Sequence, residues 1–387
     1  MLSAVGRSLT FVELGWSDVV ARRMVRQGLR GGLPSLEAAV AAMGGAHAQV
    51  MSAAELSIGV RVRHATSTDI RAALRHDGPL VKTYGPRGTL HLLPRNELPL
   101  WCAALGAVPV SSSLPAQVRL NPAQTAAVVD AISAALSASG PLDGDELGAE
   151  VVARLGAWAA EPVVPAFGGW WPRWRQDISL AAYRGVLAFG ENRGSRVTYV
   201  HPGVHIEPDP QLALGWLLRR YLTSYGPATP PHFGRWLGVS RAWASEQFAL
   251  HSRELEALTV DGEPAYVVAG DTAATTESTP GATLLPHFDP YVIGSFPREL
   301  LFPGAVATRA LGRGQAGVRP VILIDGIVAG IWTSTRTGTL LTITVEPIGP
   351  VPKSRRLDVT AAAQRVGDYL GLETTLQFGT VTTGAHR

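Results

Sequence analysis

Leu80-Val81-Lys82-Thr83-Tyr84-Gly85-Pro86-Arg87-Gly88-Thr89-Leu90-His91-Leu92-Leu93 is the stretch on which the fold turns. Branched and aromatic residues flank a Gly-Pro-Arg-Gly turn, the pattern of a β-hairpin with strands over 80–84 and 89–93. Four helical runs precede it. Ser17 caps a run to Gln27, Ser35 opens one that stops at Gly44-Gly45, Ser52 opens a third to Arg63, and Ser67 or Thr68 caps a fourth ending before Gly78-Pro79. Helices followed by a two-stranded wing make a winged-helix unit.

The same order recurs twice with little shared sequence. Residues 122–137, 144–155 and 176–187 read as helices followed by strands over 186–189 and 196–200. Residues 211–225, 231–237 and 241–251 read as helices followed by strands over 258–260 and 265–268. Past Asp271 a Thr- and Gly-rich loop over 272–281 leads into strand-like runs at 283–285, 319–324, 327–333 and 340–347, a closing helix over 360–370, and a frayed tail after Gly379. The expected fold class is α+β. Tandem winged-helix units span 1–120, 121–208 and 209–270, and a β-rich, barrel-like C-terminal domain spans 271–387.

The 387 residues, 46% hydrophobic and 17% charged, suit a folded soluble protein of several compact units. No apolar run reaches the roughly 18 residues of a membrane span, and the first residues lack a secretory segment, so the cytoplasm is the expected compartment and no membrane partner is expected. Cys102, the only cysteine, excludes internal disulfides, cysteine-based zinc sites and iron–sulfur clusters held by this chain alone. It reads as a buried small hydrophobe, and no metal or cofactor is expected.

Lys and Arg number 34 against 31 Asp and Glu, and only Lys82 and Lys353 are lysines. Arg22, Arg23, Arg26, Arg30, Arg61, Arg63, Arg71, Arg75, Lys82, Arg87 and Arg95 crowd the first third of the chain. Such a distribution suits a phosphate backbone and equally suits a solvated helix face.

Gly44-Gly45-Ala46-His47-Ala48-Gln49 holds the candidate chemistry. An extended backbone after Gly45 points His47 and Gln49 to one side and Ala48 to the other, bringing a titratable group and an amide to one wall. Such a pair suits positioning a water against a bond; spacing alone equally describes an ordinary loop histidine and glutamine. A cluster of Trp170, Trp171 and Trp174 with Arg173 and Arg175 reads as packing between units, or alternatively as a platform that stacks on a base or a planar adduct.

Several motifs in order carry a family resemblance. Arg87-Gly88-Thr89-Leu90-His91-Leu92, Tyr225-Gly226-Pro227-Ala228-Thr229-Pro230 with Phe233 and Trp236, Leu285-Pro286-His287-Phe288-Asp289-Pro290-Tyr291 and Ile324-Asp325-Gly326 together resemble the AlkZ/YcaQ family of bacterial winged-helix DNA glycosylases. The resemblance implies a DNA-binding channel and excision of bulky or cross-linked alkylpurines, chiefly N7-alkylguanine, from double-stranded DNA. It also implies protection of a cell from a DNA-alkylating natural product. The family's catalytic tripeptide, Gln, an apolar residue, then Gln or Asp, falls on His47-Ala48-Gln49. Gln49 matches, and His47 departs from the pattern.

An N7-alkylated guanine is already cationic and leaves without protonation by the enzyme, so what remains is to hold a water and stabilise an oxocarbenium-like sugar. Gln49 is expected to orient the water and neutral His47 to accept its proton. The shortage of lysines argues for a monofunctional enzyme, because a lyase step normally needs an amine. Lys82, Arg87, Thr89 and His91 are expected to line the groove that holds the DNA backbone, with Arg336 reaching it from a C-terminal turn. His287 and Asp289 are expected to form a pocket, Asp289 stabilising the cationic sugar. The rival reading is a non-enzymatic DNA binder, either a transcription regulator or a protein that shields a lesion; abasic-site formation on adducted DNA separates the two.

Overall fold

A helix that must turn at once into a strand needs left-handed backbone, and Gly44 and Gly45 supply it with φ of 65° and 92°. In the computed structural model, which describes residues 12–109, 114–166, 168–274 and 281–382, the helix Leu36–Ala42 ends there and the short strand Ala46–His47 begins. Ser35 caps that helix as the sequence indicates, its hydroxyl accepting from the Ala38 N–H at 3.1 Å. The strand pairs antiparallel with Leu90–Pro94, which pairs antiparallel with Leu80–Tyr84.

Three stretches repeat one order: helix, short strand, two helices, hairpin. The first runs Leu36–Ala42, Ala46–His47, Met51–Gly59, Ser67–Ala73 and the hairpin at Leu80–Tyr84 and Leu90–Pro94. Its last helix is capped by Thr66, not Ser67 or Thr68, through a reciprocal pair with Asp69. The second runs Pro122–Ser139, Leu142–Asp143, Gly144–Leu155, Ile178–Tyr183 and the pair Ala188–Phe189 and Thr198–Val200. The third runs Pro210–Tyr225, a single bridge at Ala228, Pro230–Leu237, Arg241–Leu250 and the pair Leu255–Val260 and Glu263–Val268. In each, the short strand or bridge pairs with the return strand of the hairpin.

The N-terminal segment leaves the first repeat. Glu13–Leu14 pairs parallel with Leu255–Val260 of the third. The helix Trp16–Arg26 buries Val20 and Met24 among Tyr291, Leu323 and Val328 of the C-terminal region. The first repeat in turn shares one core with that region, where Val40, Ile58 and Leu92 pack with Ile322, Trp332, Ile343 and Val359. Helix Leu98–Ala107 is apolar all round because it is enclosed, packing Trp101, Ala104 and Leu105 against Leu217 and Tyr221. Cys102 lies there as a buried, inert thiol whose pKa burial pushes up to about 12.

The C-terminal sheet has the order Ala282–Leu285, Val321–Ile324, Ile327–Thr337, Leu340–Pro347, Glu373–Phe378. Its two outer strands do not pair with each other, and helix Arg356–Leu370 packs against both, so the sheet is a half-barrel rather than a closed one. The chain past Gly379 is anchored as far as Val381, whose N–H donates to Glu346 at 2.6 Å; residues 383–387 of the expected tail, and 275–280 of the expected loop, lie outside the described residues. No helix among the described residues is long and apolar enough to cross a membrane.

The arginines crowded near the N-terminus mostly point inward. Arg22 donates to the Asp271 and Ala273 carbonyls at 2.6 and 3.0 Å, Arg23 to the Pro227 carbonyl at 3.1 Å, and Arg26 pairs with Asp271. Arg22, Arg23 and Arg61 are among the largest buried side chains. They tie the N-terminal helix to the third repeat and the first repeat to the half-barrel, so they offer nothing to a phosphate backbone. Arg63, Arg71 and Arg75 remain exposed.

Candidate active site

His47 faces His91 across the paired strands, and the two rings meet edge to face with centroids 5.2 Å apart. Phe288 of the half-barrel closes the other side of His47 at 5.1 Å. The residue is 8% exposed; its Nδ1 is buried with no hydrogen-bonding partner among the described residues, while Nε2 is not sealed off. Burial, with the Arg87 guanidinium as a smaller contributor, pushes its pKa down to about 4. His47 is therefore neutral at physiological pH.

The Ala48 N–H extends the ladder, donating to the Leu90 carbonyl at 2.7 Å, and its methyl is buried. Gln49 comes next and is exposed. It opens on a cleft of about 740 Å³ between the first two repeats, lined also by Tyr84, Gly88, Trp171, Arg175 and Tyr199. The two polar residues thus differ in setting: Gln49 lies on the cleft wall, and His47 sits inside it under His91 and Phe288.

Neighbouring repeats hold this strand and hairpin in place. The Tyr225 hydroxyl donates to the Met43 carbonyl at 2.6 Å, just ahead of Gly44, and the Tyr183 hydroxyl donates to the Gly85 carbonyl at 2.8 Å. Gly85 is needed for a close approach, since a Cβ there would stand 2.6 Å from the His91 ring. Arg87, at the hairpin tip, turns back to donate to the Trp236 carbonyl of the third repeat.

The expected groove residues occupy different settings. His91 is buried, its Nδ1 hydrogen-bonded to the Thr89 carbonyl at 3.0 Å, so it supports His47 rather than lining an open groove. The Thr89 hydroxyl donates to the Pro86 carbonyl at 3.0 Å and closes the turn. Lys82 is half-buried with its ammonium 5.3 Å from the centre of the Phe189 ring. Arg336 is exposed near the tip of the long hairpin of the half-barrel, its Nε donating to the Gly338 carbonyl at 2.9 Å.

Asp289 is not available to a sugar. It is fully buried, meets Arg61 through two hydrogen bonds of 2.7 and 2.8 Å, and caps the helix Pro290–Gly294 by accepting the Tyr291 N–H at 2.9 Å. His287 is hydrogen-bonded at Nδ1 to the Val318 carbonyl at 2.9 Å. The residue of this segment that reaches the site is Phe288, between them, in left-handed backbone with φ of 56° and its N–H on the Gly317 carbonyl at 2.6 Å. A bulky residue held there is a strained element. The sequence offers Trp171 as part of an alternative stacking platform but does not point to Phe288, Tyr84, Phe189 or Tyr199 as site residues; the prolines around Phe288 are the one visible sign of an unusual backbone.

The family model described as DNA glycosylase AlkZ-like matches residues 40–369. An interstrand DNA cross-link repair glycosylase of Streptomyces sahachiroi is 29% identical over 378 residues, covering 90% of this chain and 94% of that protein. The solved structure of the Streptomyces sahachiroi DNA glycosylase AlkZ superposes with a TM-score of 0.77 at 27% identity, over 95% of this chain and 100% of that one.

Proposed function

This chain belongs to the AlkZ-like family of DNA glycosylases, and from that premise we propose that it hydrolyses the N-glycosidic bond of bulky N7-alkylguanine adducts in double-stranded DNA. The observation that carries the proposal is the edge strand ending at His47 and the bend at Gln49 that follows it, which put an amide on the wall of a cleft with a neutral imidazole behind it. The three repeats are read as winged-helix units, because each pairs a short strand with the wing's return strand after the first helix. Arg87, Lys82 and Arg336 are the groove contacts retained in this reading. Protection against a DNA-alkylating natural product is the biological role it implies.

The leaving base carries its own positive charge, so the enzyme's work falls on the sugar face. Gln49 holds the water through its side-chain carbonyl. His47, uncharged, does not repel the developing oxocarbenium charge. With Nδ1 buried and unpartnered, the form carrying its proton on Nε2 avoids an orphaned N–H. In that form the ring presents a donor and not an acceptor at Nε2, so His47 does not serve as the base expected from the sequence, and the water surrenders its proton to solvent after attack. The action is read as monofunctional because the sequence holds only two lysines, Lys82 and Lys353, and a lyase step normally needs an amine.

The test is a panel of duplexes carrying N7-methylguanine or a bulky N7-alkylguanine, scored for alkali-labile sites and for trapping of the protein by borohydride. Alkali-labile sites on the bulky adduct without trapping are expected. Trapped protein overturns the monofunctional assignment, and equal release of both adducts overturns the preference for bulk.

The pH dependence follows from the direction of the His47 shift. A depressed pKa means the ring takes up a proton only as pH falls through about 4. Activity, corrected for the enzyme-free rate, is expected to stay level from about pH 8 to about pH 5.5 and to fall only below that. A loss centred near the ordinary histidine value of about 6.5 contradicts the enclosed, neutral His47.

A further inference from the structure

Between the second and third helices of the second repeat the chain makes a two-stranded ribbon, Pro162–Ala166 with Gly169–Pro172, that pairs with no other strand among the described residues. Its root is firm: Trp174 is buried in the core of the repeat, and the Arg173 N–H donates to the Glu161 carbonyl at 2.7 Å while its guanidinium pairs with the Glu161 carboxylate. Its blade is apolar and open, with Trp170 62% and Trp171 46% exposed. Successive strand residues point to opposite faces, and Trp171 is the one that lines the cleft holding Gln49.

That cleft is walled by aromatic rings. Tyr84 and Phe189 lie 5.6 Å apart and Phe189 and Tyr199 5.2 Å apart, and Arg175 links them to Trp171. Its guanidinium lies 4.7 Å from the Trp171 ring centre and donates to the Tyr199 hydroxyl at 3.3 Å. The acids on this wall are already answered: Arg196 meets Asp143 at 2.8 Å and Asp145 at 3.9 Å. Of the two arginines in this lining, Arg196 is committed to those acids and Arg175 lies against Trp171 and Tyr199, so the broadest recognition surface the cleft offers is its flat aromatic faces. A volume of about 740 Å³ takes a ring system of several fused rings and is left nearly empty by a methyl group.

We infer that Trp171, held by Arg175, is the specificity-determining residue that stacks on a flat polycyclic aromatic substituent carried by the lesion, in the cleft that Gln49 lines. The inference rests on the glycosylase reading above, and its test is a binding measurement that does not depend on turnover. Two duplexes are made with a 2′-fluorinated guanosine, which keeps the glycosidic bond intact, one bearing a naphthyl-containing N7 substituent and one an N7-methyl group. The ratio of their dissociation constants is measured by fluorescence anisotropy.

The unaltered protein is expected to favour the naphthyl duplex, and Trp171→Ala to shrink that preference by about 5- to 100-fold. Trp171→Phe retains most of it, and Trp170→Ala, on the opposite face, retains all of it. A preference that survives Trp171→Ala, or no preference in the unaltered protein, overturns the assignment. Failure of the glycosylase reading is scored separately, as absence of alkali-labile sites on the corresponding unfluorinated duplexes.

Discussion

Gln49→Ala is expected to slow release of a bulky N7-alkylguanine by about 100-fold, the usual effect of removing one preorganised polar group from a reacting centre. The side chain is exposed on the cleft wall and makes no hydrogen bond among the described residues, so circular dichroism and the thermal midpoint are expected to stay at their original values. The loss is read in single-turnover rates at saturating protein, where it appears as a slower chemical step. Full activity in Gln49→Ala removes the proposed water-positioning role. His47→Ala is a different experiment, because it also empties a space between His91 and Phe288 and costs stability; its rate is read only beside a measured thermal midpoint.

Asp289→Ala is expected to destabilise the protein by about 3 to 5 kcal/mol, because it leaves the buried Arg61 guanidinium without its counter-charge. Asp289 also caps the helix Pro290–Gly294, which adds to the loss. Replacing both partners by apolar residues of similar size, as in Arg61→Met with Asp289→Leu, is expected to cost much less than the single change, since no orphaned charge remains. Denaturant unfolding reads the difference as a lower midpoint for the single variant. Equal losses in the two variants would falsify the account of Asp289 as a structural partner of Arg61. The pair also secures the backbone next to Phe288, so it supports the lid over His47 from one residue away.

The central hairpin was legible because its information is local: alternation and a Gly-Pro-Arg-Gly turn determine strands over Leu80–Tyr84 and Leu90–Pro94. Helix ends with Ser35 at the cap and Gly44-Gly45 at the exit were legible for the same reason. Other features depend on partners far along the chain. Arg22 and Arg23 read as candidates for a charged surface, yet they are buried because Asp271 and the Pro227 carbonyl, some 200 to 250 residues away, receive them.

The ribbon at Pro162–Ala166 and Gly169–Pro172 was hidden by its prolines, which argue against a strand inside a sheet. They are tolerated because the ribbon has no further strand to bond among the described residues. The edge strand Glu373–Phe378 lacks a clear apolar alternation, as an exposed edge permits. At the site, His47 and Gln49 were visible as a pair, but not that one is enclosed and the other open, because the enclosing ring, Phe288, comes from the half-barrel in a left-handed conformation that no local pattern announces.

The most direct measurement compares the unaltered protein with His47→Ala/Gln49→Ala on a duplex bearing one bulky N7-alkylguanine, following the free adducted base by mass spectrometry and the strand by alkaline cleavage. The account predicts that the unaltered protein yields the intact adducted base and one alkali-labile site at the lesion, and that the double variant, folded by circular dichroism, yields neither above the enzyme-free rate. Equal release by both proteins contradicts a reaction centred on this edge strand, and a lesion bound but left in place by the unaltered protein contradicts glycosylase action altogether.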